Sequence, residues 1–78
     1  MERYLIAYKE TGTYDYEVNE VVKVVDNKKD AINMLSVITS NENDELISVV
    51  HYDFIRHASK VLKPTLNSKL KLDLEEEK

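Results

Sequence analysis

The chain has 78 residues, 42% hydrophobic and 33% charged, with 15 acidic side chains against 11 basic ones for a net charge of −4. This length provides one small domain and excludes a two-domain enzyme, and this charge disfavours a nucleic-acid binder with a basic surface. Cysteine is absent, so neither a disulfide framework nor a thiolate metal site supports so small a core; packing or oligomerisation must, and a homodimer is expected.

The N-terminus has a short apolar stretch, Tyr4 to Tyr8, and carries Glu2 where a secretory leader has net positive charge. Elsewhere the longest apolar runs are broken by Lys23 and Ser48, far short of a bilayer span. A cytoplasmic location without membrane contact is the expectation.

From Arg3 to Lys9, Tyr4, Ile6 and Tyr8 alternate with Leu5 and Ala7, a period-2 pattern apolar on both sides that predicts a central strand. The single glycine, Gly12, lies within Glu10 to Thr13 between two strand-like runs, which predicts a hairpin. The second run, Tyr14 to Val25, exceeds the usual strand length, so a bulge or bend is expected near Asn19 and Glu20. Asp26 and Asn27 are good N-caps, Asp30 suits a helix start, and Ala31, Met34, Leu35 and Ile38 recur at helical spacing; a helix is predicted from about Lys28 to Ser40.

A polar, acidic loop follows from Asn41 to Glu45, then a β-rich run from Leu46 to Tyr52 predicts a third strand. Phe54, Ile55, Ala58, Val61 and Leu62 recur with helical period between a capping Asp53 and Pro64, predicting a short second helix. Past Pro64, Leu66, Ser68, Leu70, Leu72 and Leu74 alternate with Asn67, Lys69, Lys71 and Asp73, predicting a fourth strand over Lys69 to Leu74 that offers an edge to a partner. Glu75 to Lys78 reads as a charged, frayed end. The expected fold is therefore one α+β domain over residues 1–74, a two-layer sandwich of order ββαβαβ. Its antiparallel or mixed sheet has helices on one face, and its other face is partly open, to be filled in a dimer by Tyr4 or Tyr16 and the leucine stripe.

Catalytic constellations are not found. His51, His57 and Asp53 have poor spacing for a metal trio and read as surface histidines. None of the serines at 36, 40, 48, 59 and 68 adjoins glycine, as a nucleophile on a tight turn would. The pairs Asp15 with Glu17 and Asp44 with Glu45 sit in polar segments, where burial that separates their pKa values is not expected. One glycine makes no phosphate-cradling loop. The tyrosines at 4, 8, 14, 16 and 52 form a stacking platform for single strands only against the repulsion of Asp15 and Glu17; core or protein interface is the stronger reading. A non-enzymatic protein with no cofactor and no metal follows.

Charge is arranged in blocks. Glu10, Asp15, Glu17 and Glu20 fall in one segment without a basic residue, and Glu42, Asp44, Glu45 and Asp53 in another. Arg56, Lys60, Lys63, Lys69 and Lys71 form a basic block. Single-sign fields steer partners of opposite charge. Same-face strand residues lie roughly 6.8 Å apart, so Asp15 and Glu17 are expected to present a regular row of negative charge; if the hairpin acids and the Glu42 to Glu45 loop come together, and a dimer doubles them, the surface imitates a phosphate backbone.

A short, cysteine-free, single-glycine acidic chain with acids on the Glu10 to Glu20 hairpin and a Glu75 to Glu77 ending resembles the small phage-encoded proteins that disable host machinery. Those include DNA mimics that block nucleoid proteins such as HU, inhibitors of uracil-DNA glycosylase, and anti-CRISPR proteins. The resemblance implies a stoichiometric inhibitor in a bacterial host cell. The expected partner is a basic DNA-binding protein, engaged through Glu10, Asp15, Glu17, Glu20, Glu42, Asp44 and Glu45; nucleic acid is not the primary partner. Two other classes compete: a nucleic-acid or anionic-ligand binder using the basic segment 56–71, with Arg56, Lys60 and Lys63 on one helix face, and a structural or regulatory subunit docking by β-augmentation through Leu70, Leu72 and Leu74.

Overall fold

The computed structural model describes residues 1–11 and 18–77. Its elements run β1 (Glu2–Thr11), β2 (Val18–Val25), α1 (Lys28–Ser40), β3 (Asp44–Asp53), β4 (Ala58–Leu66) and β5 (Leu72–Glu76). The five strands form one sheet of order β2-β1-β3-β4-β5, with every neighbouring pair antiparallel. Since β2 and β3 both run against β1, they are parallel to each other, and α1 is the crossover that carries the chain from one side of β1 to the other.

The helix starts where Asn27 Oδ1 accepts from the Asp30 backbone N–H at 2.8 Å while the Asn27 side chain donates to Asp30 Oδ2 at 3.0 Å, a reciprocal cap that satisfies an orphan donor. Its apolar stripe, Ala31, Leu35 and Ile38, is buried against Tyr4, Ile6 and Tyr8 of β1, Val49 of β3 and Leu74 of β5. Ile6, Leu35 and Val49 have no exposed surface at all, and burying such side chains stabilises by about 1.5–3 kcal/mol each.

The expected order ββαβαβ is corrected to ββαβββ: the second helix does not form. Asp53 does take up backbone N–H groups, from Ile55 at 2.9 Å and Arg56 at 3.2 Å, but it closes a turn over 54–57 in which His57 adopts φ 51°. The chain then reverses into β4, with Val50 opposite Val61 and Val49 opposite Leu62. Sheet pairing thus overrides a helical period whose first members, Phe54 and Ile55, are exposed on the turn. Pro64 fits this strand because pairing with β3 ends at Leu62, leaving β4 only β5 as a neighbour at that level.

The leucine alternation is likewise divided. Asn67 Oδ1 accepts from the N–H groups of Lys69 and Lys71 at 2.9 and 3.1 Å, and Leu70 takes φ 57°, so residues 67–71 are a hairpin turn rather than strand. β5 begins at Leu72 and runs through Glu75 and Glu76, opposite Lys63 and Leu62. Tyr4 lies beneath α1 rather than on the uncovered sheet face, and Tyr16 is outside the described residues. No bulge interrupts β2, which keeps register with β1 from Val25 opposite Tyr4 to Val18 opposite Thr11. The irregularity is in β3 instead: Ala7 faces Ser48 and Tyr8 faces Leu46, so Ile47 is an extra, unpaired residue.

Candidate protein-binding surface

Strand register assembles the acids that the sequence leaves scattered. Glu10 stands directly opposite Asp44 on β3 and Asn19 on β2, while Lys9 stands between Glu45 on β3 and Glu20 on β2. Glu42 lies in the short α1–β3 connection, which is tied to this end of β1 by the Thr11 N–H donating to the Asn43 carbonyl at 3.2 Å. Glu10, Glu20, Glu42, Asp44 and Glu45 therefore share one end of the sheet. Asp15 and Glu17 are outside the described residues.

One feature deepens the negative potential there, and a second responds to it. The last turn of α1 carries no basic residue, so the negative end of the helix dipole is uncompensated. Tyr8, buried beneath the acids, has its phenol pushed above the usual tyrosine range, first by burial and then by Glu10 and Asp44. Directly opposed like charges such as Glu10 and Asp44 cost sheet stability.

The basic block does not form one surface. Lys60 and Lys63 fall on opposite faces of β4, Lys60 beside His51 and Lys63 beside Glu75, so the helix face expected to unite them with Arg56 does not exist. Lys60 lies 3.7 Å from Glu76, and Arg56 is 3.9 Å from Asp53 on the turn. A different basic group, which the sequence spacing does not reveal, comes from the curl of the β4–β5 hairpin onto the start of α1. Lys28, Lys29, Asn33, Asn67 and Lys71 line an open groove of ≈ 390 Å³ floored by Ile32 and Leu72. Asp73 spans its rim at 3.0 Å from Lys28. That hydrogen bond from Lys28, followed by one from the Leu74 N–H, holds the Asp73 carboxyl below the usual carboxylate range.

His51 lies 2.7 Å from Glu2, with its ring 4.8 Å from that of Tyr4, and His57 is on the 54–57 turn. Among the described residues, no three imidazole or carboxylate groups converge as metal ligands. Of the leucines read as an edge, Leu74 is in the core, Leu72 is half-buried against it, and Leu70 is exposed at the turn. Among the described residues, no helix is long and apolar enough to cross a membrane. Comparison of the chain with family models, curated proteins and solved structures gives no match.

Proposed function

We propose that this chain is a non-catalytic inhibitor of the DNA-mimicking, phage-encoded kind, whose acidic sheet end occupies the DNA-binding surface of a basic host protein. The observation that supports this reading is the Glu10–Asp44 register, reinforced by Glu42, Glu20 and Glu45 at the same end. Directly opposed residues on adjacent strands have Cβ atoms about 5 Å apart, which sets the two acids at a spacing of the same order as the charges along a duplex. The partner's Lys and Arg side chains pair with them in place of phosphates, so inhibition is competitive with DNA and weakens steeply with salt. The test is capture from bacterial lysate, eluted by rising salt, followed by competition of the captured protein with duplex DNA. Salt-eluted nucleoid or DNA-processing proteins that exchange the inhibitor for DNA bear the reading out; partners that resist salt, or none, refute it. Replacing Glu10, Glu42 and Asp44 by their amides should abolish capture without loss of fold.

A second reading, an anionic-ligand module, draws on the groove lined by Lys28, Lys29 and Lys71. It is separated from the first by titration with inorganic phosphate and short oligonucleotides, watching the amide signals of those three residues.

A further inference from the structure

In an antiparallel sheet directly opposed residues share a face, so the registers sort the strand residues between the two sides of the sheet. One face, carrying Tyr4, Ile6, Tyr8 and Val49, is under α1. The other presents, in rows across β2, β1, β3 and β4, Val24, Leu5, Val50 and Val61, then Val22, Ala7 and Ser48. A solvated face of an antiparallel sheet is ordinarily polar. Here Val22, Val24 and Val61 are 58%, 57% and 49% exposed, and the patch is bounded by Arg3 and Tyr52 at one end and by Glu20, Lys9 and Glu45 at the other.

The chain exposes more surface than a folded monomer of its mass ordinarily does. A folded monomer of 9.1 kDa exposes about 4,900 Å² by the usual scaling, whereas this chain exposes 5878 Å². The excess is about 1,000 Å², against the about 800 Å² that each partner contributes to a standard interface.

We propose that this face packs on the same face of a second copy, making a two-sheet homodimer with a helix on each outer side. The patch spans β2 to β4, so its centre lies between β1 and β3, and a two-fold axis along the strands at that line makes the face self-complementary. It sets β1 against the partner's β3 and β2 against the partner's β4. Lys9 then meets the partner's Glu45, Leu5 meets the partner's Val50, and Val24 meets the partner's Val61, while Arg3, which lies 3.3 Å from Asp26 and over the Phe54 ring of its own chain, comes level with the ring of the partner's Tyr52. Each contact occurs twice. Opposite charges and a cation over an aromatic ring close the two ends of an apolar centre, and the arrangement is that of aligned sheets in a sandwich. Glu10 and Asp44 have the parity of Tyr8 and project to the helix side, whereas Glu20 and Glu45 lie on the dimer face, so the Glu10–Asp44 part of the acidic surface stays open in the dimer and is tested apart from it by the amide variants at Glu10 and Asp44.

Sedimentation velocity of the full chain tests this. The expected result is a species of twice the monomer mass at micromolar concentration, which Val61→Glu and Val24→Glu each convert to monomer with unchanged circular dichroism. Lys9→Glu and Glu45→Lys, each alone, should weaken dimerisation by about tenfold or more because like charges then meet across the axis. Mixing these two variants should restore a heterodimer, since the carboxylate introduced in one chain then meets the ammonium introduced in the other; a defect in folding shows no such rescue. A monomer at all concentrations overturns the proposal. So does a dimer that survives Val61→Glu on the interior strand, which assigns association to a surface other than this face, such as the free edge of β2 or β5, and so does failure of the mixed variants to pair.

Discussion

Glu10 on β1 and Asp44 on β3 face each other across one rung of the sheet, two carboxylates with no cation between them in the register. The ladder of backbone hydrogen bonds holds them there, and each raises the cost of the other. Asp44→Asn, which keeps shape and removes one charge, is expected to raise stability by about 0.2–1 kcal/mol. The gain should shrink at high salt. Urea unfolding of both proteins at low and high salt measures it, and a stability loss would show that Asp44 holds an interaction the register does not reveal.

Leu35 is the helix residue on which the core converges, fully buried among β1, β3 and β5 side chains. Leu35→Ala should cost about 2–5 kcal/mol, a large share of the about 4–12 kcal/mol available to a chain of this size. Thermal melts should therefore show a protein on the edge of unfolding at ambient temperature, while Val37→Ala, on the exposed face of the same helix, should melt close to the parent.

The Lys28 hydrogen bond depresses the Asp73 carboxyl in the folded state, and the backbone N–H of Arg56, helped by that of Ile55, depresses Asp53 against its partial desolvation. A group with a lowered folded pKa binds protons more weakly folded than unfolded, so its stabilisation is present above the ordinary carboxylate pKa of about 3.9 and is lost as pH falls through the lowered value. Urea midpoints should fall on acidification through that window. Asp73→Asn should flatten the acid limb and leave the neutral-to-alkaline region parallel to the parent; an unchanged acid limb would remove Asp73 from the account.

Leu70 occupies the left-handed region at φ 57° on the β4–β5 turn and is 79% exposed, so its side chain contributes little packing to offset the backbone cost. Leu70→Gly is expected to stabilise by about 1 kcal/mol. Chemical denaturation decides it, and a loss of stability would mean that Leu70 packs in solution on a surface it does not touch here.

The sequence makes the first half of the fold legible through local chemistry. Asn27 with Asp30 marks the start of α1, and Ala31, Leu35 and Ile38 mark its buried stripe, because capping and period are properties of consecutive residues. Asp53 misleads for a related reason. A carboxylate accepting backbone N–H groups two and three residues on serves a helix start and a tight turn equally, and only the pairing of Val61 and Leu62 with β3 decides between them. The β4–β5 turn is hidden because Asn67 shapes it without a glycine, leaving the positive φ to a leucine. The acidic surface is half legible. Segments rich in Glu and Asp are visible in the chain, but that Glu10 meets Asp44, and that Lys60 and Lys63 part company, follow from register, which is set by partners distant in the chain.

Ile47 has a reach beyond the local kink in β3. Were it to take a place in the ladder opposite Tyr8, the rungs beyond Ala7 would slide, Lys9 would meet Leu46, and Glu10 would meet Glu45. Leu46 would leave the core side, and the lysine that now separates two acids would lose one of them. The electrostatic identity of this end of the molecule is therefore a matter of backbone counting as much as of composition. Removing Ile47 would straighten β3 and leave every rung in place, whereas a residue inserted between Glu45 and Leu46 should redraw the charge pattern more thoroughly than replacing any single carboxylate.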